Sequence, residues 1–233
     1  EQPRGLTLGA ILERHEPHDV LLVRPGAHDP SLAFPVRRGG RVGAGSLRRS
    51  STLRALRPDL EAALVRGNVP TRVRKTVQGD VDAIVLARAG ISRLGLDVSP
   101  LLAYDIDPAT WVPAPGQAAV AVEVRSGDRE VREQLAGLDH ASTRSAVELE
   151  RRLLVRAGGG CHAPFAAWVS DAGAASAVQA CVGAPARDGA WKLRRFTGPA
   201  ARVEEEASAW FDGGCPGPTV PISDEGICTP ARP

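Results

Sequence analysis

Three groups of arginines recur within the first hundred residues, each just beyond a short apolar run. They are Arg48 and Arg49 in GAGSLRR, Arg66 and Arg72 in RGNVPTR, and Arg93 in ARAGISRLG. A guanidinium is a permanently charged planar fork that suits carboxylates and phosphates. Its charge-assisted, often two-pronged bonds are among the stronger ones available to a protein. The first string places glycines and Ser46 at a strand-to-helix junction, where unpaired N–H groups of the helix start attract anions. It is neither a Walker loop nor GxGxxG, because position 48 is arginine. Taken singly, each arginine reads as a solvated surface residue. Jointly, loops at the carboxyl ends of neighbouring strands share one crevice, so three of them carrying arginine imply a ligand with several negative charges.

A different chemistry is offered by Cys161, which follows three glycines and precedes His162, Ala163 and Pro164. A glycine loop leaves a thiol accessible, whereas the commoner role of a lone cysteine is a small apolar filler. A Cys–His hydrolase is disfavoured, since adjacent side chains seldom converge in the required geometry. Cys181, Cys215 and Cys228 read as incidental, and the absence of any CxxC pair argues against zinc. His15, His18, His28 and His140 fall in polar turns and read as solvated; Asp105 and Asp107 read as turn caps.

The elements that must position these residues follow from the hydrophobic pattern. Strands are predicted at 6–12, 20–24, 41–46, 60–65 and 82–87, with helices at 47–56, 69–77 and 89–94. Three strand–turn–helix units in succession predict an α/β domain with a largely parallel sheet. A strand is predicted at 118–124 and a helix at 142–155, with Ala146, Leu149, Leu153 and Leu154 on one face. Strands at 165–169, 176–182 and 191–195 and a helix at 202–211 suggest a small α+β unit, followed by an unstructured tail from about 212. The net charge of +2 and nine aromatic residues disfavour a nucleic-acid or anionic-membrane partner. No stretch approaches the ~20 apolar residues of a membrane span, no signal peptide opens the chain, and the cytoplasm is the expected compartment.

The strings GSLRR, RPDL, RGNVPTRVRK and GDVDAIVLARAGISRLG resemble, in order and spacing, the second domain of porphobilinogen deaminases. PAPGQAAVAVEVR resembles the family's returning strand, LERRLLVRAGGGCHAP its cofactor-attachment loop, and PRGLTLGAILERHEPHD the segment leaving its first domain. The resemblance covers residues from about 3 to 195. It implies an α/β fold of three domains: two periplasmic-binding-protein-like α/β domains, the first incomplete, and a small α+β C-terminal domain. Residues 1–17 and 114–136 would be the remnant of domain one, 18–113 domain two and 137–233 domain three.

The resemblance also implies hydroxymethylbilane synthase activity, in which four porphobilinogen units are joined head to tail with loss of ammonia. The growing chain hangs on a covalent dipyrromethane cofactor. Cys161 matches the attachment cysteine, while Ser46, Arg48, Arg49, Arg72 and Arg93 match cofactor contacts. Arg66, Arg72, Arg93 and Gln117 match substrate contacts. The implied protein is a monomer acting on a small molecule, with no metal. Two departures stand out: Ala44 replaces a hydroxyl residue, and Ala118 replaces the second glycine of GQGA. The family's catalytic aspartate lies in an HSxKD-type motif upstream of the segment matching residues 3–12, and no such motif occurs here. The 233-residue chain alone is therefore expected to be inactive, the alternative being a non-catalytic polycarboxylate-binding relict of the same fold.

Overall fold

In a strand with every residue buried, each backbone group must find a partner in a neighbouring strand. DVLLV, strand β2 (Asp19–Val23), is such a strand, and it lies inside a six-stranded sheet. The computed structural model describes residues 3–158, 163–170, 177–185, 191–212 and 227–231. Strand β1 (Leu6–Ile11) precedes β2; β3 (Arg41–Gly43), β4 (Glu61–Ala63), β5 (Ala83–Ala87) and β6 (Leu102–Ile106) follow it. Helices α1 (Leu47–Leu56), α2 (Val69–Gln78) and α3 (Arg88–Leu94) follow β3, β4 and β5 in turn. The sheet order is β11-β6-β2-β5-β3-β4, where β11 is Cys228–Pro230 near the end of the chain.

The sheet is mixed, which corrects the largely parallel sheet expected from the sequence. β3 runs parallel to β4 and β5, but β2 is antiparallel to both β5 and β6. No helical crossover joins β2 to β3, only a loop with one short 3-10 turn at Pro25–Ala27. Strands joined at the same end must run in opposite directions. The reversal decides the site, because it brings the first residue of β2, Asp19, opposite Ala87, the last residue of β5. Asp19 thus lies at the carboxyl edge, beside the loops that lead into α1, α2 and α3.

Two smaller sheets adjoin this one. β1 pairs antiparallel with β7 (Ala121–Arg125), beside helix α4 (Arg129–Leu135). The sequence reading missed α4, and none of its residues is buried, so it carries no apolar stripe to read. Beyond it, α5 (Ala141–Arg156) and α6 (Ala200–Asp212) pack on an antiparallel sheet of β8 (Phe165–Val169), β9 (Ala177–Pro185) and β10 (Trp191–Pro199). Leu149, Leu153, Phe165, Phe196 and Val203 form its core.

The tail departs from expectation at its far end. Residues 213–226 lie outside the described residues, but Ile227 is fully buried in the core of the six-stranded sheet, together with Ile106 and Trp111. The Asp107 N–H donates to the Ile227 carbonyl at 2.9 Å, and β11 pairs antiparallel with β6. Burial on this edge strand pushes the Cys228 thiol up to about 12. The sequence suggests no structure there because its few apolar residues, Val220, Ile222 and Ile227, are scattered through a Gly/Pro-rich stretch with no local periodicity. Among the described residues, no helix is long and apolar enough to cross a membrane.

Replacing a fully buried isoleucine by alanine removes apolar area and leaves a cavity. Ile227→Ala is expected to cost about 2–4 kcal/mol, read as a lowered urea midpoint of the full chain. An unchanged midpoint would show that the tail strand adds nothing to the sheet.

Candidate functional site

Asp19 has no solvent exposure, so its charge must be met within the protein. Arg48 Nη2 donates to its Oδ2 at 2.8 Å, and Arg49 donates from Nη2 to Oδ1 at 2.7 Å and from Nε to Oδ2 at 3.2 Å. Trp111 Nε1 donates to Oδ2 at 2.8 Å, and Gln117 Nε2 to Oδ1 at 2.9 Å. Burial alone would raise the pKa of Asp19, but the fields of Arg48 and Arg49 and their hydrogen bonds outweigh it and hold the carboxyl well below the usual carboxylate range. Two arginines against one carboxylate leave the cluster with one net positive charge.

Local sequence explains how the two arginines reach this point. Ser46 adopts an extended conformation and caps α1, its Oγ accepting from the Arg49 N–H at 3.2 Å. Ala44 N–H donates to the Ala63 carbonyl at 2.9 Å and fixes the loop beside the end of β4. Arg48 and Arg49 then occupy the first turn of α1. Arg48 is turned inward: only 5% exposed, it also bonds the Val112 carbonyl at 3.0 Å and Gln117 Oε1 at 3.4 Å. Arg49 keeps Nη1 free of any partner among the described residues.

The second loop meets the first through a glycine. Asn68 caps α2 by accepting from the Thr71 N–H at 2.9 Å, and Arg72 Nε donates to the Gly67 carbonyl at 2.6 Å. A Cβ on Gly45 would come within 3.0 Å of Arg72 Nη1, so the bare backbone is what lets this guanidinium lie against the β3–α1 loop. Arg66 is exposed, and its guanidinium has no partner among the described residues. Arg93, on α3, donates from Nη2 to the Ala118 carbonyl at 2.6 Å. Gln117 reaches the cluster directly, its Nε2 also bonding the Pro17 carbonyl at 2.6 Å. Ser46, Arg48, Arg49, Arg72 and Gln117 therefore gather around one edge, while Arg93 reaches the adjoining turn. Cys161 lies outside the described residues.

That turn carries a backbone constraint. Gly116 has φ 72° and Ala118 φ 68°, and Ala118 is the one non-glycine residue of positive φ among the described residues. The methyl at position 118 is therefore strained. Gly116 N–H donates at 2.7 Å to Glu150, a fully buried carboxylate on α5. Glu150 also accepts both terminal nitrogens of Arg14 at 2.9 Å and the Val169 N–H at 2.8 Å. One carboxylate thus joins the segment after β1, the 116–118 turn and β8.

Sequence reading missed Asp19, Glu150 and Arg14. The available signals were a charge opening an otherwise apolar strand and a glutamate on the buried stripe of α5, which includes Thr143, Val147 and Leu153. The histidines need correction as well. His18 Nε2 lies 3.1 Å from Asp105 Oδ1, His28 stacks on Tyr104 and bonds its hydroxyl at 2.6 Å, and His140 caps α5. Nearby, Glu16 accepts from Ser92 Oγ at 2.7 Å; partial burial raises its pKa, but this bond and the charge of Arg88 bring it below its ordinary value. Asp107 does cap its turn, accepting from the Ala109 N–H at 3.0 Å.

Residues 1–133 match the family model described as porphobilinogen deaminase, dipyromethane cofactor binding domain. Among curated proteins, the chain is 48% identical over 163 residues to a porphobilinogen deaminase of Syntrophobacter fumaroxidans, covering 70% of this chain and 51% of the relative. It is 45% identical over 189 residues to the Roseiflexus sp. (strain RS-1) protein of that name, covering 80% and 59%. Against the one from Nitratidesulfovibrio vulgaris (strain DP4) it is 49% identical over 169 residues, covering 71% and 51%. The chain spans about half the length of these curated relatives.

Asp19→Asn removes the charge that neutralises a buried arginine and is expected to cost about 3–5 kcal/mol in urea unfolding at neutral pH. A carboxyl whose folded pKa is depressed stabilises the fold fully above its unfolded value of about 3.9 and loses that contribution as pH falls toward the folded value. The gap between wild type and variant should thus be constant from about pH 7 to about pH 5 and narrow below about pH 4. Ala118→Gly is expected to gain about 1 kcal/mol, because relief of the left-handed strain exceeds the entropy glycine adds to the unfolded chain. A lowered melting temperature in this variant would count against strain at 118.

Proposed function

The chain belongs to the porphobilinogen deaminase family, and from that premise we propose that it holds a covalent dipyrromethane and a growing pyrrole chain during hydroxymethylbilane synthesis. The substrate is porphobilinogen, four units of which are condensed with release of ammonia. The observation that carries this reading is the arginine pair Arg48 and Arg49, fixed on buried Asp19, with Arg72 laid across Gly45 beside them. A pyrrole bearing acetate and propionate groups presents two carboxylates, and each added unit brings two more. Such a ligand needs rigid, permanently charged forks.

The residues fit the cofactor by the chemistry of their donors and by the backbone room at Gly45, where a Cβ would press on Arg72. When bound, dipyrromethane supplies the pyrrole carbon to which the first substrate unit is joined. Cys161 would hold it through a thioether. Arg49 offers a carboxylate its uncommitted Nη1, Arg72 and Arg66 extend the cationic edge, and Arg93 lies by the turn that carries Gln117. Arg48 is spent on Asp19 and Val112, so it orients its neighbours and adds to the field. Preorientation of this kind spares the ligand the cost of ordering long side chains. Ser46 sets the start of α1 and hence the direction of both arginines.

The same premise suggests three units. Residues 1–17 and 114–136 would belong to the first, in line with the β1–β7 ribbon; 18–113 to the second, with the arginine loops; and the expected 137–233 to the third, with Cys161, except that Ile227 and β11 join the six-stranded sheet of the second. The protein would act as a cytoplasmic monomer on a small molecule, without nucleic acid or membrane as partner.

Intact-mass measurement tests the attachment. Full-length recombinant protein, which includes the segment upstream of residue 1, should carry the added mass of two linked pyrroles, and Cys161→Ser should lose that increment entirely. Absence of the increment from the wild-type protein would overturn the assignment. Arg49→Ala should weaken porphobilinogen binding about tenfold in calorimetry, the loss of one charge-assisted bond.

A further inference from the structure

Three consecutive residues of one turn are tied to three different parts of the molecule. Gly116 N–H bonds Glu150 on α5, Gln117 bonds Asp19 at the carboxyl edge of the six-stranded sheet, and the Ala118 carbonyl accepts from Arg93 on α3. The same carbonyl also accepts from the His15 N–H at 3.3 Å. The turn leads into β7 and so connects the β1–β7 ribbon to the arginine-bearing sheet. Ala118 sits there at φ 68°, a conformation that persists only while surrounding contacts outweigh its strain.

Arg93 is exposed, and among the described residues its guanidinium has one partner, the Ala118 carbonyl. Both two-pronged edges of a guanidinium include Nη2, the nitrogen that holds Ala118. Nη2 carries one hydrogen on each edge, so a carboxylate that takes the edge whose hydrogen holds Ala118 competes directly with that carbonyl, and a charged acceptor outcompetes a neutral one for it. We propose that Arg93 is a ligand-operated latch: on Ala118 it holds the strained 116–118 turn, and on a ligand carboxylate it releases it. Occupancy of the anion site is thereby transmitted to the junction between ribbon and sheet. The inference rests on the carboxylate-binding reading given above for Arg93, but its ligand-free half stands apart from that reading.

The reporters are the turn's own amides: Gln117 N–H donates to the Ala114 carbonyl at 2.9 Å and Ala119 N–H to the Gly116 carbonyl at 3.1 Å. Hydrogen exchange on the full chain without ligand should show both about three- to tenfold faster in Arg93→Gln than in wild type. In an Ala118→Gly background, where the strain is gone, Arg93→Gln should change them less than about twofold. Equal exchange in wild type and Arg93→Gln overturns the latch. So does an undiminished effect of Arg93→Gln in the glycine background, which would mark Arg93 as ordinary packing.

Porphobilinogen is the probe for release, with calorimetry recording binding in parallel. Binding to wild type should accelerate the same amides, and porphobilinogen added to Arg93→Gln should leave them unchanged. Binding without acceleration in wild type overturns release. No binding heat at all overturns the carboxylate reading and release together, while the ligand-free comparison still decides whether Arg93 holds the turn.

Discussion

A buried carboxylate keeps its charge only where the fold brings donors to it, and the arrangement around Asp19 follows from that requirement. Five hydrogen bonds reach its two oxygens from Arg48, Arg49, Trp111 and Gln117. Those donors come from α1, from the segment after β6 and from the turn before β7, so one side chain fixes three chain segments. The interaction is also asymmetric in charge. One carboxylate cannot neutralise two guanidinium groups, and the surplus positive charge remains at the edge where loops from β3, β4 and β5 open. Rigidity of the arginines and attraction for an anion thus share a single cause.

Glu150 performs the matching task on the other side of the same turn. It accepts from Arg14, Gly116 and Val169, which binds the α5 unit to the ribbon and to the strained turn. Leaving either carboxylate without its partners would strand a charge in the interior, which costs more than the pair contributes. The two carboxylates specify how the sheets meet more than they stabilise any one of them. Between them lie Gly116, Gln117 and Ala118, where a local backbone cost is held by contacts drawn from elsewhere in the chain.

Many elements were legible because they depend on local pattern. Helix α1 was expected at 47–56 and spans Leu47–Leu56, since Ser46 caps it and Pro58 stops it. Helix α2 was equally clear from Asn68, Pro70 and Gly79, and β5 from the apolar run AIVLA. The strand at 118–124 was placed too early, because residues 118–120 belong to the turn and its exit; β7 begins at Ala121. Neither helix α4 nor the three-residue strand β11 buries a residue of its own, so neither leaves a period to detect. The arginines were visible as a set, but which of them is committed to the interior was not. Arg48 and Arg49 are adjacent and identical in type, yet one is turned to the interior and the other keeps a nitrogen without a partner among the described residues.

By itself, the sequence determined the local elements, the excess of arginine at strand ends and the likeness to one family, because capping, apolar periodicity and motif spacing are properties of short stretches. Tertiary structure alone decided the direction of β2, the gathering of donors on Asp19 and Glu150, and the return of the tail to the sheet edge. Each of these pairs residues far apart in the chain, as Asp19 with Trp111 and Gln117, or Arg14 with Glu150. Their energy lies in burial and charge pairing, which exist only once the chain has closed on itself.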